Sequence, residues 1–213
     1  VTGVREPEKQ SPAASVIYVS GAGKFMGALE ISDSVRGDFR RAINRLRYQG
    51  VEEIMMLTGD NREAAAAIAS SLGLDAFEAE VLPEDKANIV NRVKNKGVTL
   101  MCGDGINDAP ALAYADIGVA MGKGCTDTAM ETADVTINSD DPLKLPEFVS
   151  IGKKTMGILH FNFGVTIVVN SIAMTLGAMG MITPLLATLV HNASTLGVVL
   201  NSSRILVSKD GTY

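Results

Sequence analysis

From Thr155 to Ser203 the chain contains no Asp, Glu, Lys or Arg. At 1.5 Å per residue a bilayer-crossing helix takes about 20 residues, so this stretch has room for roughly two spans. A break falls at GMITP, residues 180–184, where Pro184 suits the first turn of a new helix. Lys153 and Lys154 precede the first span, Arg204 and Lys209 follow the second, and the connecting turn is uncharged. The positive-inside rule then puts both ends of the hairpin in the cytoplasm. A buried helical hairpin in a soluble protein is the competing reading, and so long an uncharged run disfavours it.

Upstream of that run the pattern alternates. SVIYVS (15–20) and KFMGALEI (24–31) read as a β-hairpin around GAG. From Ser34 to Gly50 the period becomes helical, with Phe39, Ile43 and Leu46 on one face and arginines opposite. There follow a strand at EIMMLT (53–58), a helix from Arg62 to Leu72, a short strand near Phe77 and a helix opening at Pro83. VTLMC (98–102), DIGVAM and DVTIN read as further strands, and NSDDPLKLPE (138–147) as the link to the membrane helices. Such alternation predicts an α/β fold with a parallel sheet whose faces are covered by helices. The 213 residues suit one ordinary domain plus something smaller. A net charge of -5 and the lack of a basic tract argue against a nucleic-acid partner. Cys102 and Cys125 form no CxxC or Cys/His cluster, which leaves neither a disulfide framework nor a zinc site; Cys102 reads as a core residue and Cys125 as a loop residue. The chain opens on Val1 with no signal peptide at that end, as an excerpt would.

Ligands of parallel α/β sheets bind beyond the carboxyl ends of the strands. TGDN (58–61) and GDGIND (103–108) fall at two such ends, and Lys86 follows LPED at the start of a helix. Thr58 can donate a hydroxyl, and Gly59 lets a backbone N–H approach a phosphoryl oxygen. Lys86 supplies a point cation, and Asn107 can donate to the same group. Asp104 and Asp108 offer the hard oxygens that magnesium takes beside a substrate phosphate. Each piece alone has a plainer explanation: a turn with a helix cap, a solvated lysine, an acidic loop. Their conjunction at successive strand ends points to phosphoryl transfer, where positioning and charge stabilisation are nearly all of the catalysis.

MLTGDN, LPEDK, MCGDGINDAPALAYADIGVAM and TDTAMETADV resemble the second half of the phosphorylation domain of P-type ATPases, cation pumps with a haloacid-dehalogenase-like core. The resemblance covers nearly the whole chain. It implies that 1–31 close the nucleotide-binding domain, that 32–150 are the C-terminal part of the phosphorylation domain, and that 151–213 hold the last two transmembrane helices and a short tail. That layout is similar to the heavy-metal-transporting subfamily. The resemblance further implies that Asp104 holds magnesium with Asp108 completing or supporting the site. Thr58, Gly59, Lys86 and Asn107 would contact the phosphoryl group while Asp60 orders it. Asp33 and Arg36, in DSVR, match the family's interdomain hinge. The implied setting is a bacterial cytoplasmic membrane with the catalytic domain in the cytoplasm.

The family's nucleophile, the first aspartate of DKTGT, does not occur in this sequence, nor does a DxDx[TV] phosphatase motif. Without it no aspartyl-phosphate can form. The expectation is therefore a C-terminal portion of a pump, inactive alone, with ATP bound mainly by regions outside this chain and the remainder of the pump as its partner. A non-catalytic subunit of a split pump and a membrane-tethered phosphatase are the alternatives.

Polar groups inside a span are costly and so are functional candidates. Asn162 and Asn170 lie near one face of the first span, and His191, Asn192, Ser194 and Thr195 form HNAST in the second. Helix–helix hydrogen bonding would explain Ser194 and Thr195, whereas imidazole is the commonest transition-metal ligand. HNAST is closer to the HEGGT of cobalt-type pumps than to the Asp-containing motif of zinc pumps, and Val169 stands where copper pumps carry Tyr. Asn170, His191, Asn192 and Thr195 are thus the candidate ligands of a transported transition-metal cation, mixed N/O donors that favour a divalent ion over copper(I). Met174, Met179 and Met181 read as packing or lipid-facing residues.

Overall fold

A computed structural model describes residues 15–21, 24–31, 38–104 and 107–207. The chain divides into two compact units, Val1–Pro146 and Glu147–Tyr213.

In the first unit, β1 (Ser15–Gly21) and β2 (Lys24–Ile31) form the expected antiparallel hairpin, with a register shift between Val19 and Ser20. Next come α1 (Asp38–Tyr48), β3 (Met55–Leu57), α2 (Arg62–Leu72), β4 (Ala76–Glu78), α3 (Pro83–Lys94) and β5 (Leu100–Gly103). The unit continues with α4 (Ala109–Tyr114), β6 (Ile117–Met121), α5 (Asp127–Thr132) and β7 (Val135–Ile137). All pairings from β3 onward are parallel, in two ladders: β3 with β4, and β5-β6-β7. Parallel pairing of successive strands requires such a crossover connection, which the intervening helices supply.

Local signals explain the helix ends. The Asn61 side chain accepts from Ala64 N at 2.9 Å to cap α2, and Gly73, at φ 70°, closes it in the left-handed conformation that glycine adopts without strain. Pro83 occupies the first turn of α3, where its missing N–H costs nothing. α2 buries Ala64, Ala65 and Ala69, and α3 buries Ala87, Ile89 and Val90. Around the last ladder, Leu112, Ala120 and Ala129 are fully enclosed, with Met101 and Cys125 packed on them. On α1 the buried residues are Ala42 and Ile43, while Phe39 is exposed, so the buried stripe is narrower than the periodicity predicted.

Three aspartates stand immediately before strands and do the same job. Asp75, before β4, accepts from Ile54 N at 2.8 Å. Asp116, before β6, accepts from Thr99 N at 2.9 Å, and Asp134, before β7, accepts from Gly118 N at 2.8 Å. Each carboxylate occupies a backbone donor just before or at the start of the adjoining strand, which pins the pairing where the ladder starts. The Ile54 N–H, and after it Arg47, hold the Asp75 carboxyl below its ordinary value; the Thr99 N–H and then Lys94 do so for Asp116. A carboxyl lowered in the folded state stabilises the fold above its unfolded value, and that stability is lost as pH falls through the folded value. The thermal midpoint should therefore stay level from neutrality to about pH 5 and drop below about pH 4. Thermal unfolding of the Asp75→Asn, Asp116→Asn double variant checks this: it should be less stable at pH 6 and show a shallower acid decline.

The second unit contains α6 (Lys144–Ala178, beginning three residues upstream), α7 (Pro184–Ser202) and a last turn, α8 (Arg204–Val207). Both long helices are long and apolar enough to cross a bilayer. The turn lies where predicted, with Gly180 at φ 72° and Thr183 capping α7 through Leu186 N at 3.3 Å. The helix starts earlier than expected, because Pro146 falls in its first turn, where proline is tolerated, so the segment from Lys144 onward is helix and not linker.

Candidate phosphoryl site and membrane polar pair

Thr58 directly follows β3. Its N–H donates to Glu78 O at 3.0 Å, and its hydroxyl donates to Asp60 Oδ2 at 2.8 Å while accepting from Asp60 N at 3.1 Å. The loop after β4 laces onto this turn through Val81 N to Thr58 O (3.0 Å) and Glu80 N to Asp60 O (2.9 Å). Glu80 takes φ 58°, an unfavourable conformation for a side-chain-bearing residue, which these bonds hold. The space around Gly59 is open, with Val81 O 3.8 Å from where a Cβ would stand.

Lys86 and Asp108, from α3 and the residue before α4, meet at 2.6 Å, each side chain 13% exposed. Asp108 sits at the cap position of α4 yet makes no capping bond, because its carboxylate is turned to Lys86. Gly103 must lack a side chain: a Cβ there would lie 2.5 Å from Asp108 Oδ2. Asp104 and Asn107 are exposed beside it, and Gly105 and Ile106 between them lie outside the described residues. Asp33 and Arg36 also lie outside them. The structure thus joins Lys86 to Asp108 across 22 residues, and Thr58 to Asp60 in one turn.

Burial, with smaller contributions from the nearby Cys125 and Asp108, pushes the Cys102 thiol up to about 11, so it stays protonated at neutral pH. Its Sγ lies 3.9 Å from Met121 Sδ, as suits a core residue. Cys125 lies in the loop after β6; burial raises it first, then the carboxylates of Asp104 and Asp140. Asp140 holds that loop by accepting from Lys123 N at 3.1 Å, a role with no local sequence signal because the partners are 17 residues apart.

Among the described residues no three His, Cys, Asp or Glu side chains converge as a metal cage. Magnesium does not need one, since it is held by one or two carboxylates plus substrate phosphate and water. Two hard carboxylates near the end of β5, one already charge-compensated by Lys86 and backed by a side-chain-free glycine, fit that ion.

In the second unit, His191 Nδ1 and Asn170 Oδ1 lie 3.0 Å apart across α6 and α7. Thr195 Oγ1 donates to His191 O at 3.0 Å, and Asn192 is exposed. A groove of about 340 Å³ runs between the helices, lined by residues including Asn162, Val169, Ser194 and Asn201. The bonding of Asn162 to Asn201 and Ser202 had no signal in the sequence beyond the rarity of polar residues in a span.

The parallel ladders with helices between their strands form an α/β arrangement, and the model of the haloacid dehalogenase-like hydrolases matches residues 3–116. The chain belongs to that family. Within it, the chain corresponds to a segment of the heavy-metal P-type ATPases. It is 44% identical over 185 residues to a manganese-exporting P-type ATPase of Mycobacterium leprae, covering 86% of this chain and 26% of that protein. It is equally 44% identical over 195 residues to a zinc-exporting P-type ATPase of Mycobacterium marinum, covering 91% and 27%. Among solved structures it is similar to a zinc-transporting PIB-type ATPase in the E2.Pi state, with TM-score 0.83, 36% identity and coverage of 92% and 32%. The chain spans about a quarter of the length of these curated relatives. P-type ATPases use magnesium and ATP in general.

Proposed function

We propose that this chain supplies the magnesium and phosphoryl-contacting half of the catalytic site, and two membrane helices, of an ATP-driven pump for a divalent transition metal. The observation that carries the reading is the Lys86–Asp108 pair at 2.6 Å beside Gly103, in a chain similar to such pumps over most of its length. Among the described residues β3 pairs only with β4 and β5 only with β6, so each has an edge that another strand could join. A strand bearing the nucleophilic aspartate, from elsewhere in the pump, would bring it between the Thr58 and Asp104 strand ends.

Asp104 and Asp108 would hold magnesium, which neutralises phosphoryl charge when bound. Lys86 adds a second positive charge on the same group, and its bond to Asp108 keeps the ammonium aimed before substrate arrives. The Thr58 hydroxyl is oriented by Asp60 and can turn its proton to a phosphoryl oxygen. Asn107, exposed beside Asp108, can donate to another. The domain divisions 1–31, 32–150 and 151–213 follow the same reading, as does an integral location in a bacterial cytoplasmic membrane with both hairpin ends cytoplasmic.

Labelling with γ-phosphate-labelled ATP tests this. The purified chain should form no acid-stable phosphoenzyme, and the full-length pump should form one that turns over with a divalent metal. Incorporation by the chain alone would sink the reading, because no DKTGT aspartate is present in it.

A further inference from the structure

Asn162 is only 7% exposed, whereas α7 has no buried residue at all. Both ends of its amide are used. Nδ2 donates to Ser202 Oγ at 2.8 Å and to Val198 O at 3.5 Å, and Oδ1 accepts from Asn201 Nδ2 at 2.7 Å. The chain of bonds extends outward, with Ser202 Oγ donating to Val198 O at 3.0 Å and Arg204 donating to Asn201 Oδ1 at 3.3 Å.

The other interhelical polar contact, Asn170 with His191, lies two turns along α6. Between the two contacts the groove is lined by Val165, Val169, Ala193, Ser194 and Gly197. Such small, smooth side chains pack about as well after a slip of one turn, roughly 5.4 Å. Lipid adds no hydrophobic drive that would choose between the two registers. A single buried asparagine can make that choice, because the wrong register strands its amide. In an antiparallel pair, a step forward on one helix is a step back on the other. Moving from Asn162 to Asn170 on α6 therefore corresponds to moving from Asn201 to His191 on α7, so one register satisfies both contacts.

We propose that Asn162 is a positioning residue that fixes the axial register of α6 against α7 and thereby sets Asn170 opposite His191. Its effect on metal rests on the reading of those two residues as ion ligands; its effect on register does not.

The test uses the full-length pump with a protease site in the 180–183 turn, so that a cross-link keeps the cleaved helices joined. With Asn162 intact, a short bifunctional thiol reagent should link Val165→Cys to Gly197→Cys and not to Ala193→Cys, one turn away. Asn162→Leu should link both pairs, and Asn162→Gln, which keeps the amide donor and acceptor, should restore the single pattern. In parallel, Asn162→Leu should raise the metal concentration for half-maximal ATPase stimulation about tenfold while phosphorylation from inorganic phosphate persists. Asn201→Leu breaks the same clasp from α7 and replaces Asn162→Leu if that variant does not insert. An unchanged single cross-link in the Leu variants overturns the proposal. Spread cross-links with unchanged metal dependence uphold the register role and overturn the ion-ligand reading instead.

Discussion

Asp108→Ala in the full-length pump abolishes phosphoenzyme formation from ATP and from inorganic phosphate alike, a loss expected to reach about 10³-fold or more. Two effects combine. The proposed magnesium site would keep a single carboxylate, and the Lys86 ammonium, 13% exposed, loses the partner that holds it at 2.6 Å. Breaking such a largely enclosed pair also costs stability, on the order of 2–3 kcal/mol. Asp108→Asn separates the two contributions. It retains the shape and a hydrogen-bond acceptor for Lys86, so the protein folds, yet it lacks the charge that magnesium needs. Acid-stable phosphate incorporation measures the outcome, and near-normal labelling of the Asn variant would reduce these carboxylates to a solvated turn. Gly103→Ala should come close to the same loss with the carboxylate intact, since the added methyl falls 2.5 Å from Asp108 Oδ2.

His191→Ala should abolish metal-stimulated ATPase activity and leave phosphorylation from inorganic phosphate standing. The imidazole faces Asn170 at 3.0 Å, a nitrogen beside an amide oxygen. This donor pair suits a divalent first-row ion better than copper(I), which prefers sulfur. The split between the two assays separates loss of an ion ligand from general misfolding, which would lower both. Stimulation by zinc, manganese or cobalt that survives in His191→Ala would demote the histidine to helix packing. Stimulation by copper(I) alone would overturn the divalent assignment.

Features encoded within a few residues of each other were readable without coordinates. The uncharged run dictates two long helices because a bilayer-length apolar segment has few alternatives. Asn61 and Pro83 mark helix starts through bonds or steric limits that act inside a single turn. By the same logic TGDN and GDGIND mark the ends of β3 and β5. Six-residue α4 and α5 escaped notice because they are too short to show a period, and β3 is only the three residues that β4 pairs with.

What the tertiary structure decided is which distant groups meet. Lys86 finds Asp108, Asp116 takes the N–H of Thr99, and Asn162 clasps Asn201 and Ser202. The aspartates before β4, β6 and β7 look like ordinary loop acids in the sequence, and only strand pairing gives them a backbone donor. Local propensity depends on neighbours along the chain, so it could set the elements and mark the candidate residues. The spacing of a charge from its counter-charge depends on how strands and helices stack, and that is fixed only once the core around Leu112, Ala120 and Ala129 has closed.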